Sequence, residues 1–132
     1  MDMKRVDCVS FCVPDLDAGI ERYTKGLGLA LLWRTQDSCG LGLPNDITEV
    51  VLSTHPVPQV QFYTDSVEAA LPRMLEAGFA CRVPPFDIDI GRCAVLADAW
   101  GNAFCVLDMT KGRYSVDGSG NVTGVKKQPD AP

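Results

Sequence analysis

The sequence predicts an α+β fold made of two copies of one unit, a strand, a helix and three further strands. Three observations carry that expectation. A repeat with a period of about 50 residues organises the chain. Matching helix-start and helix-stop residues stand at the same offset in both halves. The runs between them alternate with the two-residue period of strands.

In the first copy, Val6-Asp-Cys-Val-Ser-Phe-Cys-Val13 reads as a strand. Pro14-Asp15-Leu16-Asp17 follows it, and a helical stretch from Ala18 to Lys25 ends in Gly26-Leu-Gly28. In the second copy Gln59-Val-Gln-Phe-Tyr-Thr64 is the strand, Asp65-Ser-Val-Glu-Ala-Ala-Leu leads the helix, and Ala77-Gly78 ends it. The strand ends, Val13 and Thr64, are 51 residues apart, and the terminal glycines are 50 apart. Asp15 and Asp65 are the expected N-caps, because a carboxylate there accepts from unpaired first-turn amides. Gly28 and Gly78 suit the left-handed residue that closes a helix. Pro72 lies too deep for the first turn, so the second helix is expected to kink or to start late. Leu29 to Thr35, Ile47 to Ser53, Cys81 to Val83, Arg92 to Ala97 and Ala103 to Met109 read as the remaining strands. Residues 1–110 are expected to form one domain of two modules, about 4–54 and 57–110. The tail, 111–132, rich in Gly, Asp, Lys and Pro, is expected as a surface or disordered ribbon.

Composition narrows the function classes. The 132 residues, 46% apolar and 22% charged, are ordinary for one globular domain. Twelve Lys and Arg against 17 Asp and Glu leave a net charge of −5 without a basic cluster, which sets aside nucleic acid and anionic membrane as partners. No apolar run approaches the ~18 residues of a membrane span. Six cysteines stand at 8, 12, 39, 81, 93 and 105, with no C-x-x-C pair. Cys8, Cys12, Cys93 and Cys105 sit in apolar strand-like runs, where a free thiol behaves as a small hydrophobe. With no signal-peptide core at the N-terminus, these features lead to the expectation of a reduced, cytoplasmic protein.

Two such βαβββ units, with Val13-Pro-Asp-Leu-Asp17 leading to Tyr23 and Gly26-Leu-Gly-Leu29, resemble the vicinal oxygen chelate superfamily. Its members include glyoxalase I, extradiol dioxygenases, fosfomycin-resistance enzymes and bleomycin-resistance proteins. Asp98-Ala-Trp-Gly-Asn102, followed by Ala-Phe-Cys-Val-Leu-Asp108, is similar to that superfamily's turn before the final strand. The resemblance covers about residues 5–110. It implies two βαβββ modules in tandem, forming a cupped, partly open mixed β-sheet barrel with helices on the outer face.

Strand alternation separates the two faces. Val9, Phe11 and Val13 point one way and Cys8, Ser10 and Cys12 the other; in the repeat, Val60 and Phe62 oppose Gln59, Gln61 and Tyr63. The fully apolar face is expected under the helix, together with Phe104 and Val106, and the mixed face, with Cys105 and Leu107, in the cup. The resemblance implies metal ligands at concave positions, generally a His on each unit's first strand and a Glu on its last. By register those positions are Cys8, Gln59 and Cys105, with Val50 as the fourth, and none is the superfamily's ligand type. Glu49 falls one residue off, which turns a strand side chain to the other face. Two thiols and an amide do not make a zinc site, so no metal and no cofactor is expected. His55, the only histidine, is expected in an exposed linker, and Asp87 and Asp89 as loop acids beside Arg92.

What remains is a cup with apolar walls and scattered polar groups, the composition of a small-molecule pocket. The candidate lining is Cys8, Ser10, Cys12, Trp33, Val50, Gln59, Gln61, Tyr63, Arg92, Cys105 and Leu107. Phe86 and Trp100 are further candidate stacking surfaces, and Arg34 a candidate anion contact. No catalytic residue is identified. The leading expectation is a metal-free binder of a small organic molecule that works as a homodimer. Its rivals are a lyase, isomerase or dioxygenase-type enzyme with an atypical metal site or metal-independent chemistry, and an interaction module whose cup is filled by its own side chains.

Overall fold

A computed structural model describes residues 2–127. The first module comprises β1 (Met3–Cys12), α1 (Leu16–Leu27), β2 (Ala30–Arg34), β3 (Ser38–Leu43) and β4 (Asp46–Ser53). The second comprises β5 (Val60–Thr64), α2 (Val67–Glu76), β6 (Ala80–Ile88), β7 (Gly91–Ala97) and β8 (Ala103–Leu107). One eight-stranded sheet runs in the order β2-β3-β4-β1-β5-β8-β7-β6. β1 pairs with β4 and β5 with β8 in parallel, and the modules meet through the antiparallel β1–β5 pair. The outer strands, β2 and β6, are not paired to each other, so the sheet is open.

The helices follow their capping chemistry. Asp15 caps α1 by accepting from the Ala18 amide at 3.0 Å, and Gly28 closes it in the left-handed region at φ 75°. α2 departs from expectation at its start: Ser66, not Asp65, is the cap and accepts from the Ala69 amide. Pro72 stands inside α2, which still begins at Val67. The carboxylate of Asp108, fully buried, holds that start in place. It accepts from the amides of Val67 and Arg92, both at 2.9 Å, and from the Thr110 hydroxyl.

Each helix covers its own core on the convex side. Leu16, Leu29, Cys39, Leu41 and Leu52 form the first core, with Val13, Ile20, Tyr23 and Val50 packed against it. Val67, Ala94, Leu96 and Val106 form the second, with Leu71, Met74, Phe79 and Phe104 against it. Phe62 meets Phe104 edge-on at 5.4 Å on this same side. The face assignment for the first and last strands therefore stands as expected. β3, with its two glycines, had no strand signature in the sequence reading.

The tail differs from the expected ribbon. Over the described residues it folds into a hairpin, β9 (Arg113–Val116) and β10 (Val122–Lys126). Residues 128–132 lie outside the described residues. The turn, Asp117-Gly-Ser-Gly-Asn121, repeats the bonding of Asp98-Ala-Trp-Gly-Asn102. In each, the Asp carboxylate accepts from the amides two and four residues on, and the glycine lies at positive φ.

Candidate functional site

The four central strands bring one side chain each to a single row on the concave face. Glu49 on β4 lies beside Cys8 on β1, Cys8 beside Gln61 on β5, and Gln61 beside Cys105 on β8. Two of the expected row positions need correction. Val50 sits beside Val9 and packs into the helix-covered core, because the parallel β1–β4 register sets Glu49, not Val50, against Cys8. Gln59 precedes β5, is exposed, and offers only its carbonyl, to the Ser10 amide at 2.7 Å. Adding the repeat offset to Cys8 gives Gln59, but β5 runs antiparallel to β1, so the spatial neighbour is Gln61.

A cavity of about 420 Å³ opens on this row. Its walls come from both modules, with Leu32, Trp33 and Ser38 on one side and Ile88, Asp89 and Ile90 on the other, so the sheet is curled into a cup. Arg113, Tyr114 and Val116 of the hairpin complete the wall. The hairpin spans the opening. Trp33 and Tyr114 stack with centroids 5.0 Å apart, the Arg34 amide donates to the Gly120 carbonyl, and the Tyr114 hydroxyl donates to Asp89 at 3.1 Å.

Glu49 is the polar centre of the floor. Trp33 Nε1 donates to its Oε1 at 2.7 Å. Gly40 makes that approach possible, since a Cβ there would collide with the Trp33 indole nitrogen and the Glu49 carboxylate. Burial raises the Glu49 carboxyl above the ordinary range; the Trp33 bond opposes that shift, and nearby Asp7 adds to it. Asp7 enters the cup through a bulge. The β1–β5 register slips between Val6 and Cys8, which aims Asp7 and Cys8 at the same side. Burial raises the Asp7 carboxyl too, against the opposing charges of Arg5 and Arg113. Arg5 reaches Asp7 at 3.4 Å and lies over the Tyr63 ring at 4.5 Å, while its Nε is buried without a partner.

Of the other expected lining residues, Cys8, Trp33, Gln61 and Leu107 reach the cavity wall. Ser10 is buried beneath it and accepts from Gln61 Nε2 at 3.2 Å. Tyr63 and Cys105 pack with Cys93 and Leu107 behind the wall. Cys12 is an exposed thiol at the end of β1 and does not line the cavity. Arg92 is held outside it by Glu68 at 2.7 Å and Asp87 at 3.3 Å. Arg34 pairs with Asp17, Phe86 lies on the edge strand β6, and Trp100 is 86% exposed in its turn. Asp87 is exposed beside Arg92 but lies on strand β6 and not in a loop, because β6 and β7 pair as far as Ile88 and Gly91; Asp89, in the turn, reaches the cavity mouth. Asp7, Glu49 and the hairpin residues were missed. An unbroken apolar run, Val50-Val51-Leu52, hides the alternation of β4; the second Asp-x-x-Gly-Asn turn was the available signal for the hairpin.

A family model, Glyoxalase/Bleomycin resistance protein/Dioxygenase superfamily, matches residues 5–106. The chain belongs to that superfamily. No curated protein matches it. Among solved structures it is similar to methylmalonyl-CoA epimerase from Mycobacterium tuberculosis, at 17% identity and TM-score 0.70 over 80% of this chain and 88% of that one. It is also similar to Streptomyces coelicolor methylmalonyl-CoA epimerase in complex with 2-nitronate-propionyl-CoA, at 16% identity and TM-score 0.67 over 81% and 98%. A hypothetical protein from Bacillus halodurans gives 14% and 0.68 over 79% and 93%. At these identities the likeness is one of fold.

The superfamily frame raises the question of a metal at the central row, and the side chains present do not fit one. Burial pushes the Cys8 thiol up to about 12, so it stays protonated at neutral pH. The contact between Cys93 and Cys105 lowers the Cys105 thiol and, with burial, pushes the Cys93 thiol far up, but Cys105 is engaged by Cys93 and does not line the cavity. Glu49 is engaged by Trp33, and Gln61 supplies only an amide. His55 is an exposed linker residue 3.9 Å from Asp37, away from the row. Among the described residues no group of three or more His, Cys, Asp or Glu converges as a metal site.

Proposed function

We propose that the protein is a metal-free small-molecule binder that takes one organic ligand into the concave cup. One observation carries the reading. A cavity of about 420 Å³, within the range of drug-sized pockets, joins mainly apolar walls to a few polar groups, Glu49, Gln61 and Asp7, at its floor. The hairpin across the opening favours retention over turnover. Native mass spectrometry of the purified protein tests this: a retained organic mass, lost after denaturation, is expected. A cup that neither retains a ligand nor binds any from a fragment collection overturns the reading.

A second reading is metal-independent acid–base chemistry of the lyase or isomerase kind. Its support is Glu49, a half-buried carboxyl with a raised pKa facing the cavity. Chemical conversion of the retained molecule, abolished in Glu49→Gln, would replace the first reading with this one.

The proposal extends to assembly and compartment. The sheet edges β2 and β6 are open, and β6 exposes Val83 and Phe86, a surface that suits pairing with a second copy in a two-fold homodimer. All six cysteines are free thiols, which suits a reducing cytoplasm. Light scattering at tens of micromolar that gives the 14.3 kDa monomer mass would overturn the dimer.

A further inference from the structure

We infer that the ligand of the cup carries a cationic nitrogen, a protonated amine or amidine on an aromatic or otherwise flat apolar frame, and that this nitrogen docks on Glu49. The inference rests on the binding reading above and names the class of molecule that reading leaves open.

The charges around the cavity are the first ground. Its lining contains three carboxylates, Asp7, Glu49 and Asp89, against one guanidinium, Arg113. Asp7 has Arg5 beside it. Asp89 is exposed at the cavity mouth and accepts from the Tyr114 hydroxyl. Glu49 is half-buried at the floor, and none of the ion pairs among the described residues includes it. Its Oε1 accepts from the neutral Trp33 indole, and its Oε2 accepts from no described residue. That second oxygen is left for a donor arriving through the cavity. A carboxylate drawn out of water is stabilised most by a donor that also carries positive charge.

The wall beside Glu49 is the second ground. Trp33 is both the partner of Glu49 and a stacking surface, its ring tilted 40° to Tyr114 at 5.0 Å. Trp33 lines the cavity with its N–H edge on the carboxylate, so an apolar aromatic wall and an anion stand side by side, a combination that suits a flat organic cation. An anionic ligand meets the opposite situation, since Glu49 and Asp7 oppose it at the floor and only Arg113 lines the cavity in its favour.

The experiment is ligand-observed NMR and calorimetry on the full chain. The probes are a fragment collection of aromatic amines and amidines, neutral alcohols and amides, and carboxylates, matched in size. Amines and amidines are expected to dominate the hits and to bind about tenfold or more tighter than their neutral counterparts. Glu49→Gln is expected to erase that advantage while neutral fragments keep their affinity within about threefold. Arg92→Gln, outside the cavity, is expected to change neither. Hits that favour carboxylates, or show no charge preference, overturn this inference and leave the binding reading standing. A cation preference that survives Glu49→Gln also overturns it. Absence of hits of any charge overturns both.

Discussion

Glu49 is a carboxyl group that the fold holds partly out of water with no ion pair of its own, and burial outweighs the charges of Arg113 and Arg5, so stability depends on pH in a definite direction. Burial raises its pKa above the unfolded value, so between the two values the folded chain binds more protons than the unfolded one. Its favourable contribution is present below the unfolded pKa, about 4.3, and is lost as pH rises through the folded value. Glu49→Gln has no proton to lose. It is expected to be more stable than the parent at pH 7 and equal to it near pH 3, as measured by urea denaturation at both values. A variant less stable at pH 7 would show that the charged form is the favoured one. Gly40 belongs to the same unit, because its missing Cβ is the space that Trp33 and Glu49 share. Gly40→Ala is expected to cost about 1–3 kcal/mol and to displace the indole, seen in near-ultraviolet circular dichroism. Asp108 works at the opposite extreme of usefulness to the fold. Its carboxylate serves the buried Val67 amide, the part-buried Arg92 amide and a hydroxyl, and Asp108→Ala is expected to cost about 3 kcal/mol or more by leaving those donors unpaired.

At the scale of elements, the hairpin β9–β10 decides how closed the cup is. It lies beyond residue 106, where the family match ends, yet it supplies Arg113, Tyr114 and Val116 to the cavity wall. Its hold on the body of the protein runs through the Trp33–Tyr114 stack, the Tyr114–Asp89 bond and the Arg34–Gly120 backbone bond. Tyr114→Ala removes the first two at once. An aromatic pair contributes about 0.5–1.5 kcal/mol, so the loss in global stability is expected to stay small. Local opening is expected to change more. Hydrogen exchange across residues 113–126 should quicken several-fold while the β1 and β8 amides keep their protection. Unchanged exchange in the hairpin would show that other contacts hold it.

At the scale of the molecule, the cup exists only because two modules face each other across β1 and β5. No module alone has both walls. The central row, Glu49, Cys8, Gln61 and Cys105, draws on both and offers a metal poor donors. A tightly bound ion would stabilise the fold by mass action, about 2.7 kcal/mol at a hundred times its dissociation constant. Chelator treatment is therefore expected to leave the melting temperature unchanged. A drop of several degrees, together with one metal per chain by elemental analysis, would overturn that expectation.

The sequence by itself determined the two modules, because capping residues, helix-ending glycines and strand runs are local signals that repeat along the chain. It also determined the helix face of the first and last strands, where apolar and mixed positions alternate cleanly from Cys8 to Val13 and from Phe104 to Leu107. Local signals ended at the row. Whether Gln59 or Gln61 stands beside Cys8 depends on β5 running antiparallel to β1, and whether Val50 or Glu49 faces the cup depends on the register of a parallel pair. Three apolar residues in succession, Val50 to Leu52, make the second choice look alike from the chain, and Gln59 and Gln61, two residues apart on one face, make the first. The bulge that turns Asp7 inward is likewise a property of the pairing between strands. The hairpin had its turn written in Asp117-Gly-Ser-Gly-Asn121, but its partners, Trp33 and Asp89, are far away in sequence. Only tertiary structure decided those contacts, because register, bulges and long-range docking are set by which strands meet, and a chain read residue by residue carries no measure of that.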